Sequence, residues 1–214
     1  GVEGIKHGNC GKPSANKTDD SKRQQMLSLA QTLYFDFNLS HCLELLRERH
    51  HLTVSYGTWH TWCRLAGLGK RRKRRPSKAR VQRERMSCEG LLLQMDGSHH
   101  KWNGTDEWCL IAMIDDASSE IPYASFFETE TTLGCMQVLR RVIERCGVPS
   151  MIYTDGAGWA GGGEKRQYFS QFVRACEELG IRVISTSSPE AKGRIERAWA
   201  TMQDRLVPEF RLNV

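Results

Sequence analysis

Three carboxylates stand in this chain where a solvated surface acid is hard to account for. Asp96 ends the run Leu91-Leu92-Leu93-Gln94-Met95-Asp96, Asp155 ends Met151-Ile152-Tyr153-Thr154-Asp155, and Glu196 lies in Gly193-Arg194-Ile195-Glu196-Arg197-Ala198-Trp199. The first two read as the tips of buried strands and the third as the inner face of a helix. Carboxylates gathered from distant segments repel one another unless something positive lies between them, and a pair of divalent cations is the usual answer. The pattern points to metal-assisted chemistry on a phosphate. Glu190 is the rival third acid, but its place ahead of Gly193 reads as a loop. Asp115 and Asp116 fall in an expected hairpin turn, where such residues bond to their own backbone. His99 and His100, just past Asp96, either lean over the site or cap the strand.

The elements that would position these acids begin at Glu89. Leu91 to Asp96, Trp108 to Ile114 and Ile121 to Phe127 are apolar runs that predict an antiparallel meander of three strands. Thr131 to Cys146 then carries Leu133, Met136, Val138, Leu139, Val142 and Ile143 on one broad helical face, closed by Gly147. Met151 to Thr154 predicts a strand, Tyr168 to Leu179 a helix with Phe169, Phe172, Val173 and Cys176 inward, and Ile181 to Ser185 a last strand. A final helix is expected from about Lys192 to Leu206. The order is βββ-α-β-α-β-α, an α/β layered domain.

Upstream the pattern is helical. Met26, Leu27, Leu29, Ala30 and Leu33 recur at helical spacing, as do Cys42, Leu43, Leu45 and Leu46 behind the capping candidate Ser40. A third helix is predicted from the N-cap Ser55, burying Trp59, Trp62, Cys63 and Leu65 before Gly67 stops it. These helices suggest a helix-turn-helix whose last helix enters the major groove of DNA. Residues Lys70 to Arg85 follow with ten Lys or Arg against Glu84 alone, a balance of +9 within a whole-chain +6, which leaves −3 for the rest. So dense a block attracts a polyanion, because each phosphate it neutralises releases counterions. Arg71, Arg72, Lys73, Arg74 and Arg75 are the candidate DNA contacts. Four zones result: a flexible segment over 1–20, the helix-turn-helix over 21–68, a basic linker over 69–88 and the core over 89–214.

Composition excludes several classes. No apolar run is long enough to span a membrane, and the first residues lack the apolar stretch of a secretory signal. A cytoplasmic protein is expected. The eight cysteines contain no Cys-x-x-Cys pair and no zinc-finger spacing, so they read as reduced thiols.

The order of elements, with an acid at the first strand, another at the fourth and a third on the helix after the fifth, resembles the catalytic core of retroviral integrases and DDE transposases. Gln94-Met95-Asp96-Gly97, Tyr153-Thr154-Asp155-Gly156 and Ser188-Pro189-Glu190-Ala191-Lys192-Gly193-Arg194-Ile195-Glu196-Arg197 are similar to its three motifs. Gly8-Asn9-Cys10-Gly11-Lys12-Pro13-Ser14 and the helix-turn-helix resemble bacterial insertion-sequence transposases with an integrase-type core. The resemblance implies a ribonuclease H-like three-layer core, a mixed five-stranded sheet with helices, preceded by a small all-α domain. It implies that Asp96 and Asp155 flank two Mg²⁺ ions, with Mn²⁺ as a substitute, and that Glu196 completes the second ion's shell. It implies cleavage by activated water and strand transfer by the freed 3′-hydroxyl. Lys192 and Arg197 are candidates for gripping phosphates. The implied partners are double-stranded DNA, as transposon ends and as target, and further copies of the chain assembled on it. The implied location is the bacterial cytoplasm, at the nucleoid when DNA-bound.

The chain departs from the family in placing Gly156 where an Asn often follows the second acid. It also places 40 residues between Asp155 and Glu196, more than is usual. It ends 18 residues after Glu196, and the core is expected to be cut short there. Two other functions are compatible with these residues: a non-catalytic DNA-binding protein or decayed fragment that keeps the helix-turn-helix, and a nuclease acting on RNA or hybrids.

Overall fold

The computed structural model describes residues 18–69, 84–155, 171–186 and 193–213. The chain divides between Lys73 and Arg74 into two compact units.

The first unit holds three helices: α1 (Asp20–Thr32), α2 (Leu39–His50) and α3 (Tyr56–Leu65). Each begins at a side chain that satisfies an otherwise orphaned backbone N–H. Asp19 accepts from Ser21 N at 3.2 Å, Asn38 from His41 N at 2.8 Å and Ser55 from Thr58 N at 3.2 Å. The α2 cap is therefore Asn38, not Ser40. Asn38 has the extended backbone that a cap requires, and Ser40 already lies inside the helix. Met26, Tyr34, Cys42, Leu46, Trp59 and Cys63 form the unit's core, with the Trp59 indole donating to Leu39 O at 2.8 Å. Leu65, expected inward, is exposed, because Trp59 and Cys63 set the buried phase of α3 and Leu65 falls outside it.

The second unit is built on a five-stranded sheet of order β3-β2-β1-β4-β5. Its strands are β1 (Leu92–His100), β2 (Trp108–Asp115), β3 (Tyr123–Phe127), β4 (Met151–Asp155) and β5 (Arg182–Thr186). The first three pair antiparallel as a meander, while β1, β4 and β5 run parallel through helical crossovers. Helices α4 (Thr132–Cys146) and α5 (Gln171–Glu178) cover one face, and α6 (Gly193–Asn213) covers the other. A mixed five-stranded sheet between two helical layers is the architecture that the sequence resemblance implied.

Strand alternation divides the core between the layers. Leu93, Met95, Ile111, Met113 and Ile152 meet Val138, Leu139, Val142, Phe172 and Cys176 on one side. Leu110, Ala112 and Ile114 meet Ile195 and Trp199 of α6 on the other. Leu133, expected in the core, is exposed, because Cys135, Val138, Leu139 and Val142 set the buried stripe of α4. No helix among the described residues is long and apolar enough to cross a membrane.

Candidate active site

Asp96 is the fifth of nine residues in β1, not its tip. The strand continues through Gly97 to His100 because that stretch pairs with Ile111 back to Trp108 on β2, which supplies the backbone partners a turn would lack. Gly97 is accommodated for a steric reason. A Cβ there would stand 2.8 Å from the Glu130 Cδ and 2.9 Å from the Cys109 Sγ.

On the other flank, β1 pairs in parallel with β4 through Leu92 with Met151, Leu93 with Ile152 and Gln94 with Tyr153. Carried two residues further, that register sets Asp96 level with Asp155, the last residue of β4. The side chain of Asp155 lies outside the described part of the chain.

Glu196 lies in the first turn of α6 and is exposed. The inward face of the helix carries Ile195, Trp199, Met202 and Leu206, so Glu196 falls beside that face rather than on it. Trp199, one turn on, is buried, and its indole Nε1 donates to Asp96 Oδ2 at 2.9 Å. Residues three apart are neighbours on a helix surface, so this bond ties Asp96 to the turn that carries Glu196.

Two further cross-links hold α6 to the sheet. Gln203 Nε2 donates to Ser98 Oγ at 3.0 Å, and Arg194 Nη1 pairs with Asp116. Asp116 is fully buried and also accepts from Met86 N and Gln94 Nε2, both at 2.9 Å. Its neighbour Asp115 accepts from Ala117 N and Ser118 N, 2.8 and 3.0 Å away, and from Gly90 N at 2.8 Å. Of the adjacent acids, Asp115 caps its own turn as expected, whereas Asp116 anchors the start of α6.

Behind Asp96, burial pushes the Cys109 thiol up to about 12, with the charges of Glu130 and Asp96 adding to the effect. A thiol held protonated in this way is no nucleophile at neutral pH. His99 is exposed within β1, its Nδ1 3.9 Å from Glu107 Oε1, and His100 packs edge-on to Trp102.

Of the residues expected to touch DNA, Arg197 is exposed and lines, with Arg85 and Arg194, a groove of about 330 Å³ beside α6. Arg71, Arg72, Lys73, Arg74, Arg75 and Lys192 lie outside the described residues, as does Glu190. Among the described residues no group of three or more His, Cys, Asp or Glu side chains is close enough to hold a metal ion.

The structural roles missed by sequence reasoning are those of Trp199, Gln203, Arg194 and Asp116, the last expected to serve its own turn. The signal for the first two was present: Trp199 and Gln203 stand at i+3 and i+7 from Glu196, the spacing of one helix face. Nothing comparable marked Arg194 and Asp116, whose partnership spans 78 residues.

No family model matches the chain. It is 34% identical over 223 aligned positions to y4bF of Sinorhizobium fredii, which carries a provisional transposase designation; the alignment covers 99% of this chain and 48% of that one. It is 38% identical over 144 positions to the transposase for insertion sequence IS1202 of Streptococcus pneumoniae, covering 64% of this chain and 31% of that one. The chain therefore spans about half, or less, of the length of the curated relatives it matches.

Among solved structures, it is similar to the simian T-cell lymphotropic virus intasome in complex with PP2A regulatory subunit B56 gamma. The TM-score is 0.47 at 19% identity, over 84% of this chain and 62% of that one. It is also similar to the magnesium-bound, trimeric HTLV-2 integrase catalytic core, with a TM-score of 0.45 at 20% identity over 60% of this chain and 84% of that one.

Proposed function

We propose that this chain, similar to a transposase-designated protein over nearly its whole length and to an insertion-sequence transposase over 64% of it, carries the core of a metal-dependent enzyme that cleaves and joins DNA strands during transposition. The observation that carries the reading is the bond from Trp199 to Asp96, which ties the acid of the central strand to the helical turn bearing Glu196. The level register of Asp96 with the end of β4 supports Asp155 as the third acid.

These residues fit a hard divalent cation, since Asp96, Asp155 and Glu196 offer carboxylate oxygens. Asp96, Asp155 and Glu196 would hold two Mg²⁺ ions, or Mn²⁺ in their place. When bound, these supply Lewis-acid stabilisation of the phosphate and an activated hydroxyl. The chain's own groups do the rest. Asp96 is oriented by the indole of Trp199, and the buried pairing of Arg194 with Asp116 holds the first turn of α6 against the sheet. Arg197, exposed on the flank of that turn, would meet a phosphate, as would Lys192, five residues before it in sequence. The basic segment from Arg71 to Arg75 and the N-terminal helices would bind duplex DNA, and strand transfer would require two ends held by an assembly of copies.

The test compares nicking of a duplex end with DNA affinity. Asp96→Asn and Glu196→Gln are expected to abolish Mg²⁺-dependent nicking while leaving DNA affinity within about twofold, since phosphate contacts elsewhere carry binding. Equal loss of both would sink the assigned roles.

A further inference from the structure

Trp199 presents an uncommon arrangement: a buried indole, embedded in the core between β1, β2 and α6, spends its single N–H on a carboxylate of the central strand. Packing alone explains the ring, which lies among Trp102, Leu110, Ala112, Ile114 and Ile195. It does not explain the direction of the N–H. An indole has one donor and no acceptor, so its bond to Asp96 Oδ2 constrains the carboxylate in one direction only. The bond also crosses layers, running from a helix whose first turn holds Glu196 to a strand that holds Asp96. Four residues further along α6, Gln203 repeats the link to Ser98, two residues along β1. The helix is thus registered against the strand by two polar contacts of matched spacing.

We propose that Trp199 is a positioning residue for divalent-metal capture: it holds Oδ2 of the Asp96 carboxylate in place and ties that carboxylate to the helical turn that carries Glu196, so that the two acids meet a cation already oriented. This rests on the reading of Asp96 and Glu196 as metal ligands, and deepens it. Hydrogen-bonded partners of ligating carboxylates govern metal affinity, and their loss lowers it by about 10- to 100-fold. Coupling runs both ways by linkage, so metal binding is expected to tighten the docking of α6.

The experiment measures Mn²⁺ affinity by calorimetry on the 214-residue chain and on two variants. Trp199→Phe keeps an aromatic ring and removes the donor. Gln203→Met removes the other link between α6 and β1 without touching Asp96. The expected result is a loss of Mn²⁺ affinity of about tenfold in Trp199→Phe and less than about twofold in Gln203→Met. Equal losses in the two variants, or none in Trp199→Phe, would overturn the proposal.

A measurement on the unaltered chain covers the case in which Trp199→Phe does not fold. The indole N–H resonance of Trp199, assigned through its neighbours in the core, is expected to shift as Mg²⁺ saturates. A resonance that stays in place while Mg²⁺ binds would equally overturn the proposal. Absence of any metal binding by the unaltered chain would instead refute the underlying metal-site reading, so the two failures are distinguishable.

Discussion

Replacing Arg194 by Met removes one partner of the pair that anchors the first turn of α6. Asp116 is fully buried, and the Arg194 side chain is only 13% exposed, so neither charge can turn freely to water. Removing one member of such a pair costs about 3–5 kcal/mol, because the other is left as an uncompensated buried charge. Asp116 would keep the Met86 N–H and the Gln94 amide as donors, which places the expected cost at the lower end, about 3 kcal/mol.

For a domain of this size that corresponds to a fall in melting temperature of about 6–12 °C. The second substitution, Asp116→Asn, removes the stranded charge and keeps an acceptor for one of those donors. The double variant Arg194→Met/Asp116→Asn is therefore expected to recover part of the loss. Urea unfolding of the four chains gives the coupling directly. A cost for Arg194→Met below about 0.5 kcal/mol, the range of an ordinary surface change, or strict additivity of the two substitutions would refute the assignment.

Three other outcomes are expected. Gly97→Ala forces a methyl against the Cys109 sulfur and the Glu130 carboxylate, and should cost about 1–3 kcal/mol by thermal melting, with part regained when Cys109→Ala is added. Asn38→Ala should destabilise the N-terminal unit by about 1 kcal/mol, while Ser40→Ala, inside α2, should be nearly neutral or slightly stabilising. Burial raises the thiols of Cys42, Cys63, Cys109 and Cys176 from an ordinary 9.0 to about 12 each. Between those values the folded chain binds more protons than the unfolded one, so stability should fall as pH rises above 9.0, a slope that replacing these cysteines by Ala should flatten in urea melts.

Much of the core was legible because its elements are locally consistent. Apolar runs such as Leu110 to Ile114 are buried on both faces of the sheet, and Thr131 and Gly147 punctuate α4 at its two ends. What was not legible depended on partners distant in sequence. The apolar run that marks the first strand ends before Gly97-Ser98-His99-His100, and only the pairing with β2 extends the strand through them. Glu196 carries the same local signal whether it lies on the inward face of α6 or beside it. Trp199 decides, by filling the inward position one turn on. Asp115 and Asp116 are chemically identical neighbours, yet one serves a turn and the other the α6 anchor, a division set by Arg194 and Gln94. Asn38 and Ser40 are both good caps, and the backbone of Asn38 alone separates them.

The central claim is that Asp155 completes a metal site with Asp96 and Glu196. The most direct measurement is calorimetric titration of Mn²⁺ into the unaltered chain and into Asp155→Asn, side by side. The account predicts binding by the unaltered chain and its loss in Asp155→Asn, with the melting temperature of the metal-free protein little changed. Equal binding by the two chains would contradict it.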